Sequence, residues 1–185
     1  MFKLWREHNV AAIALLFIRL YLGWQWLTAG WHKLTGGFDA GGFLKNAIAK
    51  PVADKATGVL TYPTFTAFLD NFAMPNVKLI NIMIPLGEFL IGLGLILGAL
   101  TTAAAFFGLM MNFMFLFAGT VSTNPWLVLI GTLVLVAGTN AGKLGVDYYL
   151  LPLLRKTAGR IKKHKPTGTG KGAGTVGGTH TPVNV

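Results

Sequence analysis

The sequence predicts an all-α membrane protein, a four-transmembrane-helix bundle with a long, partly helical outer loop between helices one and two. Three observations carry this. Of the 185 residues, 53% are hydrophobic and only 12% charged, whereas about a quarter of a soluble domain is charged. The apolar residues are gathered into four blocks, at 10–31, 79–100, 103–121 and 126–144. At 1.5 Å per residue each block can cross a hydrocarbon core of about 30 Å.

The first block follows Lys3 and Arg6 and continues past Arg19 through Leu20–Leu27 without a small-residue cleavage pattern. It reads as an uncleaved signal anchor. Its nine Val, Ile, Leu and Phe residues are largely offset by one arginine on an insertion scale, so the helix is marginally apolar and needs its neighbours. Trp24, Trp26 and Trp31 suit an aromatic belt at the outer interface. Residues 32–78 form the outer loop. Within it Phe65, Phe68, Leu69 and Phe72 fall at i, i+3, i+4 and i+7, one apolar stripe on a short helix, and Phe43, Leu44, Ala47 and Ile48 make a weaker one. Pro51, Pro63 and Pro75 punctuate the region. These segments are expected to cap the bundle from the outer interface.

Tight connections at Leu100–Thr102 and Ser122–Pro125 make helices two, three and four antiparallel neighbours. Four spans put both termini on one side. Lys3, Arg6 and the basic C-terminal segment place that side in the cytoplasm, giving a multi-pass cell-membrane protein. Residues 1–155 form the membrane domain and 156–185 a basic, largely disordered cytoplasmic tail. Val146–Lys165 is amphipathic and basic, suited to the inner membrane surface, and Pro166–Val185 is rich in Gly and Thr.

The net charge of +10 does not point to nucleic acid. Most of the excess, from Arg155 to Lys171, directly follows the last apolar block, where it meets lipid headgroups. The chain has no cysteine, which excludes thiolate catalysis and Cys-ligated metal or iron–sulfur sites within it. His8, His32, His164 and His180 have no metal-site spacing, so no metal is expected. Gly92, Gly94 and Gly98 lie in an apolar segment with no preceding strand, so they serve helix packing and not a dinucleotide.

Two ionisable residues stand in mid-span. Arg19 lies in the first block and Glu88 in the second, just after Pro85. A charge at mid-bilayer costs about 2.5–3.5 kcal/mol on insertion scales and normally faces a partner in the bundle. Arg19 and Glu88 are therefore expected to pair with each other. Arg19, Gly23, Trp26 and Gly30 share one face of helix one, where the small residues admit a close neighbour. On helix three, Ala104, Gly108 and Asn112 form a second small seam, whose amide is placed to reach Glu88, Arg19 or a ligand carbonyl. A glycine seam also suits a homodimer. Asn124 and Asn140 are expected to cap, and Asp147 to pair with a basic tail residue.

The string with Arg19, Gly23, Gly30 and Lys33-Leu34 resembles the DoxX/DoxD family of small four-helix membrane proteins. So do Glu88 to Gly98 and the exit Asp147-Tyr-Tyr-Leu-Leu-Pro152. The resemblance spans about residues 10–155 and makes Arg19, Lys33 and Glu88 signature positions. One branch of that family is the small subunit of a membrane thiosulfate:quinone oxidoreductase. The resemblance therefore implies a membrane subunit of a quinone-linked, thiosulfate-oxidising enzyme, working with a redox partner subunit. Glu88 and Arg19 are then the expected catalytic groups, and Arg19, Lys33, Glu88 and Asn112 the expected quinone-binding set. The alternatives are a non-catalytic scaffold for a redox or envelope-stress complex and a carrier of a small anion or lipid.

Overall fold

A computed structural model describes residues 2–163, with side chains from Lys3 to Thr157. Of the tail expected at 156–185, residues 164–185 lie outside the described residues. The described residues form eight α-helices: α1 Phe2–Glu7, α2 Asn9–Thr35, α3 Gly41–Ala49, α4 Pro63–Phe68, α5 Val77–Leu97, α6 Thr101–Phe117, α7 Asn124–Ala137 and α8 Asp147–Lys163. A π-helical turn, Leu69–Ala73, continues α4, and a 3-10 turn, Gly138–Gly142, continues α7. Three elements are long and apolar enough to cross a membrane: Asn9–Thr35, Val77–Leu97 and Asn124–Gly142. Helix α6 is equally apolar but has 17 residues.

Helices α2 and α5 make the tightest contact in the bundle. A methyl group at Gly30 would lie 2.9 Å from the Pro85 carbonyl oxygen, and one at Gly23 would lie 3.0 Å from the Gly92 carbonyl oxygen. At Gly92 it would meet the Leu27 backbone nitrogen. Only hydrogen fits at these positions, so backbone packs on backbone. Helix α5 runs unbroken through Pro85, which is buried against α2. Leu15, Leu22, Trp26, Ile91, Leu95, Ala105, Ile130 and Val134 fill the core between α2, α5, α6 and α7.

The expected outer loop is smaller than 32–78, because α2 continues to Thr35. Its two stripes are real. Leu44 and Ala47 of α3 pack on Leu69 and Ala73 of the π turn. Aromatic residues at the start of α4 reach α6, with Tyr62, just before the helix, at 4.6 Å and Phe65 at 5.7 Å from the Phe117 ring. This cap is braced at the start of α3. Asp39 Oδ1 accepts from the Gly41 amide at 3.0 Å and from Asn81 Nδ2 at 3.1 Å, while Asn81 Oδ1 accepts from the Ala40 amide at 2.7 Å.

The opposite end of the bundle is closed by α1 and the 3-10 turn. Trp5 Nε1 donates to the Leu133 carbonyl at 2.9 Å, and Asn140 Nδ2 donates to the Trp5 carbonyl at 2.9 Å. Asn140 thus acts as expected of a cap, although on α1 and not on its own helix.

Two tests follow from this packing. Gly92→Ala should lower stability in a denaturant titration by about 1–3 kcal/mol through overpacking. Gly87→Ala, where the added methyl makes ordinary contact with Met111 Sδ at 3.4 Å, should change it little. Equal stabilities would refute the backbone-close contact. The second test uses Asp39, whose hydrogen bonds from the Gly41 amide and Asn81 hold its pKa below the ordinary 3.8. A lowered folded pKa means the brace contributes fully above that value and is lost as pH falls through the lower one. Hydrogen-exchange protection of the Ala40 and Gly41 amides should therefore drop below about pH 4, and Asp39→Asn should remove that pH dependence.

Candidate functional site

Glu88 does not pair with Arg19. Its partner is Lys33, whose Nζ lies 2.6 Å from Oε1 and 2.5 Å from Oε2 of the carboxylate. Register explains the difference. Gly30 lies against Phe89, Leu27 against Gly92 and Gly23 against Ile96. In that antiparallel register Glu88 sits near the level of Trp31, whose ring is 6.2 Å from that of Phe89. Arg19 sits at the level of the turn after α5 instead. Those two levels are about 18 Å apart along α2 at 1.5 Å per residue.

Glu88 is 2% exposed and the Lys33 side chain 29%. The lysine stem runs from the last turn of α2 so that the ammonium reaches the buried carboxylate, with Nζ 5.6 Å from the centre of the Phe38 ring. Among the described residues this is the one ion pair between side chains within 4 Å. Both oxygens are engaged by a single cation, which suits a charge that must be neutralised in an apolar surround.

Arg19 is 1% exposed and anchors the other end. Nη1 donates to the Ala141 carbonyl at 2.9 Å and Nη2 to the Leu144 carbonyl at 3.0 Å. Gly98, with φ +65°, and Gly145 leave the space its guanidinium occupies. Asp147 acts on it at Coulombic range without a direct bond. Among the described residues Asp147 pairs with no basic side chain, and its carboxylate caps a helix. Its two carboxylate oxygens accept from the Leu100 amide at 2.6 Å and the Thr101 amide at 2.8 Å. These amides begin α6, where a helix has unsatisfied donors and a positive dipole end. Returning bonds run from the Val146 amide to the Leu97 carbonyl and from the Asp147 amide to the Gly98 carbonyl.

Asn112 reaches neither charge. It is 1% exposed, its Oδ1 has no hydrogen-bond partner, and it borders a narrow void with Trp26, Gly108 and Leu127. The four residues expected as one set thus occupy three places: the Lys33–Glu88 pair, the Arg19 anchor and the Asn112 void. Lys33 continues the seam of α2 that begins at Arg19. Arg19, Gly23, Trp26, Gly30 and Lys33 repeat at spacings of four, three, four and three, one seam of a helix.

A feature without a sequence signal is an apolar cavity of about 460 Å³ between α5 and α6, roofed by α3, α4 and the π turn. Phe43, Phe65, Phe72, Met83, Met111 and Met114 are among its lining, and every lining side chain is apolar. Among the described residues no cluster of His, Asp and Glu could hold a metal ion.

Removing Lys33 tests the pair. Lys33→Met should lower stability by about 3 kcal/mol, because it strands a buried carboxylate. The double variant Lys33→Met/Glu88→Met should recover most of that loss. A single variant as stable as wild type in a detergent unfolding titration would show that the two groups do not interact.

No curated protein and no solved structure matches the chain. The family model named DoxX matches residues 14–121, which include Arg19, Lys33, Glu88 and Asn112 and make up more than half of the chain. With its apolar helices and its buried charges, the chain belongs to the DoxX family of membrane proteins.

Proposed function

We propose that the chain is the membrane subunit of a quinone-linked oxidoreductase, with Glu88 as the group that holds and releases a proton. The observation that supports this best is the Lys33–Glu88 pair. A carboxylate 2% exposed sits within an apolar helix, and its cation is 29% exposed at the helix end. Such a pair can exchange a proton between the bundle interior and the surface layer, since Lys33 has access to both. A bound quinone would supply a two-electron, two-proton acceptor. Within the chain, the apolar cavity beside α5 suits the long tail of such a molecule, and Lys33 keeps the Glu88 carboxylate oriented.

In this reading four helices, α2, α5, α6 and α7, cross the cell membrane, and both termini are cytoplasmic. Helix α6 spans about 26 Å at 1.5 Å per residue, so the bilayer thins slightly around it or neighbouring turns complete the crossing. The Lys33 end and the cap then face outward. Electrons come from a partner subunit, and thiosulfate is the donor that the resemblance offers. Arg19 is assigned to holding the inner end together, since its Nη donors are taken by main-chain carbonyls.

A second reading, a non-catalytic scaffold of a redox complex, draws on the same anchor. Two guanidinium donors of Arg19 and both carboxylate oxygens of Asp147 bond main-chain groups within the chain, which suits a platform for a partner. Native membranes containing the complete complex discriminate between the two. With thiosulfate as donor, quinol formation should fall about 100-fold in Glu88→Gln, the size of a proton-transfer contribution. Lys33→Arg should keep most of the activity. Unchanged quinol formation in a folded Glu88→Gln would eliminate the proton-transfer role and favour the scaffold.

A further inference from the structure

The cavity between α5 and α6 has a shape and chemistry of its own. The two helices are joined by the short Gly98–Leu100 turn at one end, and toward the other they leave about 460 Å³ between them. That volume falls within the roughly 300–1,000 Å³ of ligand pockets. Every lining side chain is apolar, and Gly87, without a side chain, widens the α5 wall opposite Met111. A polar ligand would lose its hydration here with nothing to replace it.

The mouth of the cavity is continuous with the lateral apolar surface of the bundle. Met83, Leu90, Phe107 and Met110 line it and are each more than 40% exposed. These residues sit on helices apolar enough to lie in a membrane, so the phase outside the mouth is hydrocarbon. The roof is set by the π turn, which carries Leu69, Phe72 and Ala73 into the lining. π turns recur at functional sites because the extra residue re-aims side chains. The thioethers of Met83, Met110, Met111 and Met114 can adapt to an irregular chain.

We infer that this cavity is a binding site for a single hydrocarbon chain of a membrane lipid, entering sideways between α5 and α6 under the α4 roof. The chemistry is shared by two sources, the acyl chain of a phospholipid and the isoprenoid tail of a lipid-soluble carrier. Neither demands a polar contact inside the cavity. The inference does not depend on proton exchange at Glu88, which lies on the side of α5 that faces Lys33 and α2.

The test is photocrosslinking in proteoliposomes of the full chain. One arm contains a phospholipid with a diazirine in its acyl chain, the other an isoprenoid quinone with a diazirine in its tail, and adducts are mapped by mass spectrometry. Adducts on Ile84 and Met111, above the level on the exposed residues Ile82 and Leu129, support the site, and the arm that yields them identifies the source. Gly87→Phe should fill the cavity and reduce those adducts to background, whereas Leu86→Phe, on the exposed face, should leave them. Met114→Trp fills the space from α6 if Gly87→Phe does not fold. Adducts confined to Ile82 and Leu129, or adducts on Ile84 and Met111 that survive both filling variants, would overturn the site. Loss of quinol formation in Glu88→Gln with no adduct in the cavity would leave the redox reading standing alone.

Discussion

The backbones of α2 and α5 meet at Gly23, Gly30 and Gly92 because none of the three carries a side chain to hold them apart. In a bilayer the hydrophobic effect does not drive helices together, so close packing of this kind supplies much of the association. It also fixes which residues share a level. Sliding α5 by one turn would move Glu88 about 5.4 Å from its present depth, and the Lys33 side chain would no longer hold both carboxylate oxygens. The position of each charge thus depends on a contact made without charged groups.

The two buried charges are accommodated differently. Glu88 is met by a flexible lysine whose stem reaches inward from the helix end, so the pair retains a route to the surface. Arg19 is met by fixed carbonyls, by two glycines that leave it room, and by the field of Asp147. Asp147 in turn caps α6, so the arginine, the turn after α5 and the start of α8 form one interlocked unit. A group so held is suited to fixing geometry. The group on a flexible partner is the better candidate for exchange, and this asymmetry is why the proposal assigns the proton to Glu88.

Much of this was legible in the sequence, and the missing parts share a cause. The apolar blocks, the stripes Phe65–Phe72 and Phe43–Ile48, and the small-residue seam of α2 were all readable, because periodicity is local. The partner of Glu88 was not, because it depends on how far α2 slides along α5. Block boundaries of 10–31 and 79–100 put Arg19 and Glu88 at similar depth, whereas the helices run Asn9–Thr35 and Val77–Leu97. The extra turn at the end of α2 is where Lys33 lies. The capping role of Asp147 was hidden for a similar reason, since its partners are the Leu100 and Thr101 amides, distant in sequence. The cavity had no signature at all, because its lining residues are the same types that fill a core.

What separates a lining residue from a core residue here is the space left between α5 and α6 away from the turn that joins them. Gly98 and Leu100 both adopt left-handed backbone conformations, at φ +65° and +51°. For Leu100 this costs on the order of 1 kcal/mol, and its amide is held by Asp147 at 2.6 Å. The turn is therefore clamped in one geometry by the Asp147 carboxylate. At the far end of α6 the rings of Tyr62 and Phe65 close on Phe117. The cavity is thus the volume left between a clamped turn at one end and an aromatic roof at the other. Weakening the clamp by removing the Asp147 carboxylate should change the shape of that volume, although no atom of Asp147 lines it.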